Sequence, residues 1–181
     1  MVERIKSRKL AELFLDELAL KDGHQVHYVY FGYPESVAVI PLIDEDHVML
    51  IGQYRYPIDS YSWELPAGSV HTNESVHDAA RRELLEEGGV EAETMEYLFP
   101  FYPSNAMSNE KIHLFRASGL VRQTSGRADK ELLEKDLTAR KFDLREIDRL
   151  ISDGKITDAA TLIGVKYRDH RGGQTVGDSR K

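Results

Sequence analysis

Residues 68–90 read GSVHTNESVHDAARRELLEEGGV, and the way the acids of this stretch fall on a helix decides the fold. Residues 73–87 are predicted helical: Thr72 or Asn73 can cap the segment, acids and a serine fill its first turn, and Gly88-Gly89 stops it. At about 100° per residue, Val76, Ala80 and Leu84 form an apolar stripe, and Glu83 and Glu87 point roughly 20° to either side of Val76. Two carboxylates are therefore expected on the core-facing side. Glu86 follows on the wheel, between Arg82 and the stripe.

A run of charges is ordinarily a solvated face laced by pairs three and four residues apart. That reading fits poorly here, because ionised carboxylates beside Val76 and Ala80 are costly to desolvate and repel one another. A divalent cation between Glu83 and Glu87, one turn apart, answers both difficulties. Magnesium, with manganese as a substitute, is favoured over zinc: the cluster offers only oxygen, and the chain has no cysteine. Just upstream, Pro66-Ala67-Gly68-Ser69 is expected as a tight bend, with Gly68 in an unusual backbone conformation and the Ala67 carbonyl free to face the ion.

Working outward, residues 18–31 place Asp22-Gly23 between two alternating apolar stretches, a hairpin signal. Strands are expected at 36–42, buried on both faces, and at 47–55, 62–65, 94–102, 111–117 and 137–142. Residues 119–135 read as a loop. Asp143 caps a helix carrying Leu144, Ile147, Leu150 and Ile151 on one side and ending at Gly154, and Thr157 opens another. This order predicts an α/β sandwich with mixed sheets rather than a doubly wound sheet. Residues 1–35 form an N-terminal hairpin segment, 36–170 the main domain, and 171–181 a disordered tail.

At 181 residues and 41% hydrophobic, the chain has material for a real core. Lysine and arginine number 24 against 31 acids, and 24 − 31 = −7 argues against general nucleic-acid binding. Without cysteine, thiolate chemistry and disulfides are excluded, and a reducing cytoplasm suits the composition. The N-terminus is broken by charges every few residues and does not read as a secretion signal. The longest apolar stretch, residues 37–43, is far too short to span a bilayer, so no membrane partner is expected.

Gly68, Glu74, Arg82-Glu83-Leu84, Glu86-Glu87, Gly89 and Val90, at these spacings, resemble the complete Nudix box. Gln53-Tyr54-Arg55-Tyr56-Pro57, Trp63-Glu64-Leu65-Pro66, Tyr102-Pro103-Ser104, Ser108-Asn109-Glu110 and Ile156-Thr157-Asp158-Ala159 are similar to the ADP-ribose and nucleoside-diphosphate-sugar pyrophosphatase branch of that family. The resemblance covers roughly residues 18 to 168. One position departs from the ADP-ribose pattern. Where those members carry a proline downstream of the box, this chain reads Ser104-Asn105-Ala106, with Pro103 two places early, and GDP-mannose becomes the rival substrate.

The resemblance implies an α/β/α sandwich that hydrolyses the diphosphate of a nucleotide sugar to a nucleoside monophosphate and a sugar phosphate. It implies a homodimer that exchanges N-terminal antiparallel sheets. Glu83, Glu87 and the Ala67 carbonyl would hold magnesium, Glu86 an additional ion or a coordinated water, and Arg82 would orient a carboxylate. Glu74 would serve the helix start. Glu134, with Glu131 in reserve, would be the general base. For the substrate, Arg55 is the candidate phosphate clamp and Glu110 a ribose or metal contact, while Tyr28, Tyr30 and Phe31 are candidates to stack on a base, on the partner's site if sheets are exchanged. Two other classes compete: a catalytically silent nucleotide-sugar sensor on the same fold, and a calcium module. The intact acids argue against the first, and the missing alternating Asp/Asn loop argues against the second.

Overall fold

The computed structural model describes residues 11–122 and 137–167. Its centre is β3 (Ser36–Pro41), and the sequence SVAVIP explains why: apolar side chains at successive positions need cover on both faces, and all six residues are buried. Val37 and Val39 pack with Ala79, Ala80 and Leu84 of α1 (Val76–Gly88). Ala38 and Ile40 turn the other way, towards Ile147 of α2 (Leu144–Ser152) and Ala160 and Val165 of α3 (Ala159–Tyr167). Helices thus cover both sides of the sheet layer, and each fully buried valine, leucine or isoleucine in these clusters contributes about 1.5–3 kcal/mol of transfer free energy.

β3 lies inside a four-stranded sheet of order β6-β3-β8-β7, with β6 at Ala67–Ser69, β7 at Val90–Phe101 and β8 at Ile112–Arg122. β3 and β8 run parallel while the other pairs are antiparallel, so the sheet is mixed. A three-stranded sheet of order β5-β4-β9 joins β4 (His47–Arg55), β5 (Ser60–Glu64) and β9 (Thr138–Asp143). β1 (Glu12–Ala19) and β2 (Gln25–Gly32) form a separate hairpin, turned at Gly23 with φ 87°. The architecture is the mixed α/β sandwich expected.

Several boundaries differ from expectation. α1 starts at Val76, not at 73: Asn73 is left-handed at φ 67°, and Ser75 is the cap, its Oγ accepting from the Asp78 amide at 3.1 Å. Of residues 66–69 only Pro66 is a bend, because Ala67–Ser69 is a strand paired with β3. β1 begins at Glu12 rather than Leu18. β8 continues to Arg122 through Gly119, which adopts φ 67° where a side chain would run into Glu93. β7 begins at Val90, directly after the helix cap, and tolerates Pro100 because it is an edge strand. Among the described residues no helix is long and apolar enough to cross a membrane.

Candidate active site

α1 presents Glu83 and Glu87 inward, each 7% exposed, while the Glu86 side chain is 45% exposed. The gap between these figures follows from the wheel: Glu83 and Glu87 flank the stripe, and Glu86 lies beyond it. Arg82 gathers the surrounding acids. Its Nε donates to Glu74 Oε1 at 2.8 Å, Nη1 to Glu83 Oε1 at 2.6 Å and to Glu86 Oε2 at 3.1 Å, and Nη2 to Glu74 Oε2 at 3.0 Å and the Ser69 carbonyl at 2.9 Å. The guanidinium beside Glu74, helped by the His71 amide, lowers that carboxyl to about 2. Arg82 therefore orients carboxylates and ties α1 to β6.

β6 supplies two more constraints. The Ala67 amide donates to Glu87 Oε2 at 2.9 Å. A Cβ at Gly68 would overlap the Glu83 carboxylate. Gly68 is thus needed for the close pass of a side chain, and among the described residues it is absent from the positive-φ glycines. Gly68→Ala is expected to change stability by less than about 1 kcal/mol, since the Glu83 carboxylate is the end of a flexible chain and can shift. The same shift draws Glu83 away from Arg82 Nη1, and thermal melts check that the fold tolerates it.

Arg55 ends β4 beside Glu64, a residue of the Trp63-Glu64-Leu65-Pro66 motif to which the sequence alone assigns no role. Glu64, at the end of β5 and 6% exposed, accepts from Arg55 Nε at 3.0 and 3.1 Å and also from its Nη2. Glu64 keeps Arg55 firmly charged, and Glu87 and Asp158 add to the same field. The arginine side chain remains 46% exposed. Glu110 accepts from Ser36 Oγ at 3.1 Å, and Ser36 is the register partner of Ser69, whose carbonyl Arg82 holds. Glu110 therefore belongs to the same end of the sheet.

The three aromatic candidates separate. Tyr28 and Tyr30 share one face of the hairpin and line a cleft of about 530 Å³ with Asp16, Tyr102, Asn105 and Asn109. Tyr28 Oη donates to the Ala106 carbonyl at 2.9 Å, and the Phe31 amide docks on the Met107 carbonyl at 2.9 Å. Strand alternation puts the Phe31 ring on the opposite face. Within one protomer it cannot extend the Tyr28–Tyr30 surface. Glu134 and Glu131 lie outside the described residues.

Among the described residues no three His, Asp or Glu side chains converge on one ion position. Arg82 occupies the space between Glu83 and Glu86. Two buried hard carboxylates still fit magnesium, which takes one or two protein carboxylates and completes its shell with water and substrate phosphate oxygens.

The Nudix domain family profile matches residues 32–158. The chain belongs to the Nudix family. It is 33% identical over 165 residues to the methanol dehydrogenase activator of Bacillus methanolicus, covering 91% of this chain and 88% of that protein. It is 28% identical over 167 residues to the ADP-ribose pyrophosphatase of Bacillus subtilis, covering 91% and 88%. To the ADP-ribose pyrophosphatase of Mycobacterium tuberculosis it is 30% identical over 164 residues, covering 90% and 78%. A crystal structure of an ADP compounds hydrolase superposes with a TM-score of 0.74 at 23% identity, over 91% of this chain and 87% of that one, a likeness of fold. Within the family, the chain is an enzyme, a hydrolase of the ADP-ribose pyrophosphatase-like branch.

Proposed function

We propose that this enzyme hydrolyses the diphosphate of a nucleotide sugar in a magnesium-dependent reaction, with ADP-ribose the first candidate and GDP-mannose the second. One observation carries the reading: two carboxylates on adjacent turns of α1 are nine-tenths buried and individually held, Glu83 by Arg82 and Glu87 by the Ala67 amide. Glu83 and Glu87 would hold magnesium, with the Ala67 carbonyl and Glu86 as further oxygen donors. The chemistry such an ion supplies is neutralisation of the diphosphate and activation of water at neutral pH. Arg55, oriented by Glu64, clamps a phosphate; Glu110 contacts the ribose; Tyr28 and Tyr30 stack on the base. Glu134 is assigned as general base. The relatives named as ADP-ribose pyrophosphatases support the choice of first candidate.

The test is a phosphate-coupled assay on ADP-ribose, GDP-mannose, UDP-glucose and dinucleotides, with magnesium or with EDTA. Hydrolysis of at least one nucleotide sugar, abolished by EDTA, is expected. No turnover of any of them in magnesium overturns the reading.

We further assign residues 1–35 to dimerisation, residues 36–170 to the hydrolase and residues 171–181 to the tail, with the cytoplasm as location. A lone two-stranded hairpin is marginal in water, and here the face opposite Tyr28 and Tyr30 exposes Leu13, Leu15, Val29 and Phe31 in cross-strand pairs, Leu13 and Leu15 at 66% and 65%. A second copy of the chain fits that face and would bring its own Phe31 to bear on the partner. Sedimentation should show a dimer. Leu15→Asp should weaken it by at least about 100-fold, because an unpaired charge would be buried.

A further inference from the structure

Between β5 and β6 the chain leaves the three-stranded sheet for the four-stranded one, at Leu65 and Pro66. Functional groups stand on both sides of this crossing. Glu64, before it, holds Arg55, and the Ala67 amide, after it, holds Glu87. The crossing is itself held from the far side of the molecule. The Leu65 amide donates to Thr161 Oγ1 at 2.9 Å, and Thr161 is fully buried. Its hydroxyl and amide both donate to Asp158 Oδ2, at 2.7 and 2.8 Å, so the hydroxyl proton is committed and its lone pairs face Leu65. One turn on, Gly164 lets α3 approach until a Cβ there would stand 2.6 Å from Leu65 Cδ1.

We propose that Thr161, seated by Asp158, is a positioning residue: it pins the crossing between the sheets and so sets the Ala67 amide that orients Glu87. The inference rests on the hydrolase reading above. Glu64 is also secured by its pairing with Ile51 in β4, and beyond the crossing the Pro66 carbonyl accepts from the Val39 amide at 2.9 Å, next to the three residues of β6 paired with β3. The Thr161 bond ties the crossing to α3 between these two anchors, and losing it loosens the Ala67 amide, so that through Glu87 the effect falls on kcat.

The experiment compares Thr161→Val, which keeps the shape and removes the hydroxyl, with Thr161→Ser, which restores it. Ile147→Val, on α2 in the core cluster that contains Leu65, controls for lost stability. All are assayed on the full chain in magnesium, well below their melting temperatures. Thr161→Val should lower kcat about 10- to 100-fold with KM changed less than about threefold, Thr161→Ser should return to within about threefold of wild type, and Ile147→Val should stay there. Hydrogen exchange is read in parallel, and the Ala67 amide should exchange at least about tenfold faster in Thr161→Val alone. Wild-type kcat and Ala67 exchange in Thr161→Val, or equal losses in Ile147→Val, overturn the proposal. If wild type hydrolyses no nucleotide sugar, the hydrolysis reading fails, and Ala67 exchange still decides whether Thr161 sets that amide.

Discussion

Glu87→Gln is expected to lower kcat by about 1,000-fold, or about 4 kcal/mol of transition-state stabilisation, with a melting temperature close to that of wild type. The substitution is nearly isosteric, and a glutamine oxygen can still accept from the Ala67 amide that now meets Glu87 Oε2. What disappears is the negative charge at a site 7% exposed, where charge is felt most strongly. Single-turnover kinetics in saturating magnesium check this. A variant retaining more than a tenth of the wild-type rate would exclude Glu87 from the chemistry.

Arg82→Ala is expected to act on stability as much as on rate. Arg82 makes five hydrogen bonds to three carboxylates and one carbonyl from a side chain only 20% exposed, and its removal leaves Glu83 a buried charge without that partner. Breaking such a cluster costs about 3–5 kcal/mol, measurable by denaturant titration. Arg82→Lys keeps the charge without the planar fork and should recover less than half of the loss. The acid limb of the stability profile should change as well. Glu74, lowered from 4.5 to about 2 chiefly by Arg82, contributes stability that is present above pH 4.5 and lost as pH falls towards 2. Arg82→Ala removes that contribution, so its stability should decline less steeply across this window.

The polar site was legible in one dimension only where its partners are helical neighbours. Glu83, Glu87 and the apolar stripe share α1, so a 3.6-residue period is enough to place both acids at the core, and Gly89 marks the end of the helix through its left-handed conformation. The start was misjudged because Asn73 and Ser75 are both good caps. The Ser75–Asp78 bond, three residues apart, and the left-handed backbone of Asn73 distinguish them. Gly68 was noticed for the wrong property: a glycine in sequence advertises backbone freedom, whereas here it admits the Glu83 carboxylate from an element 15 residues on. Glu64 and Asp158 stand in family motifs that name no partner for them, and Thr161 stands in none, since Glu64 meets Arg55 across a strand pair and Thr161 reaches Leu65 across 96 residues. The separation of Phe31 from Tyr28 and Tyr30 could have been read from strand alternation alone.

The proposed hydrolysis depends on α1 binding a divalent cation through Glu83 and Glu87. Manganese titration of the full chain, followed by loss of the free-ion electron paramagnetic resonance signal, tests this without reference to turnover. Saturable binding is predicted, weakened at least about tenfold by Glu83→Gln and by Glu87→Gln separately, and displaced by magnesium. Binding of equal strength in both variants, or no saturable binding in the wild-type chain, would contradict it.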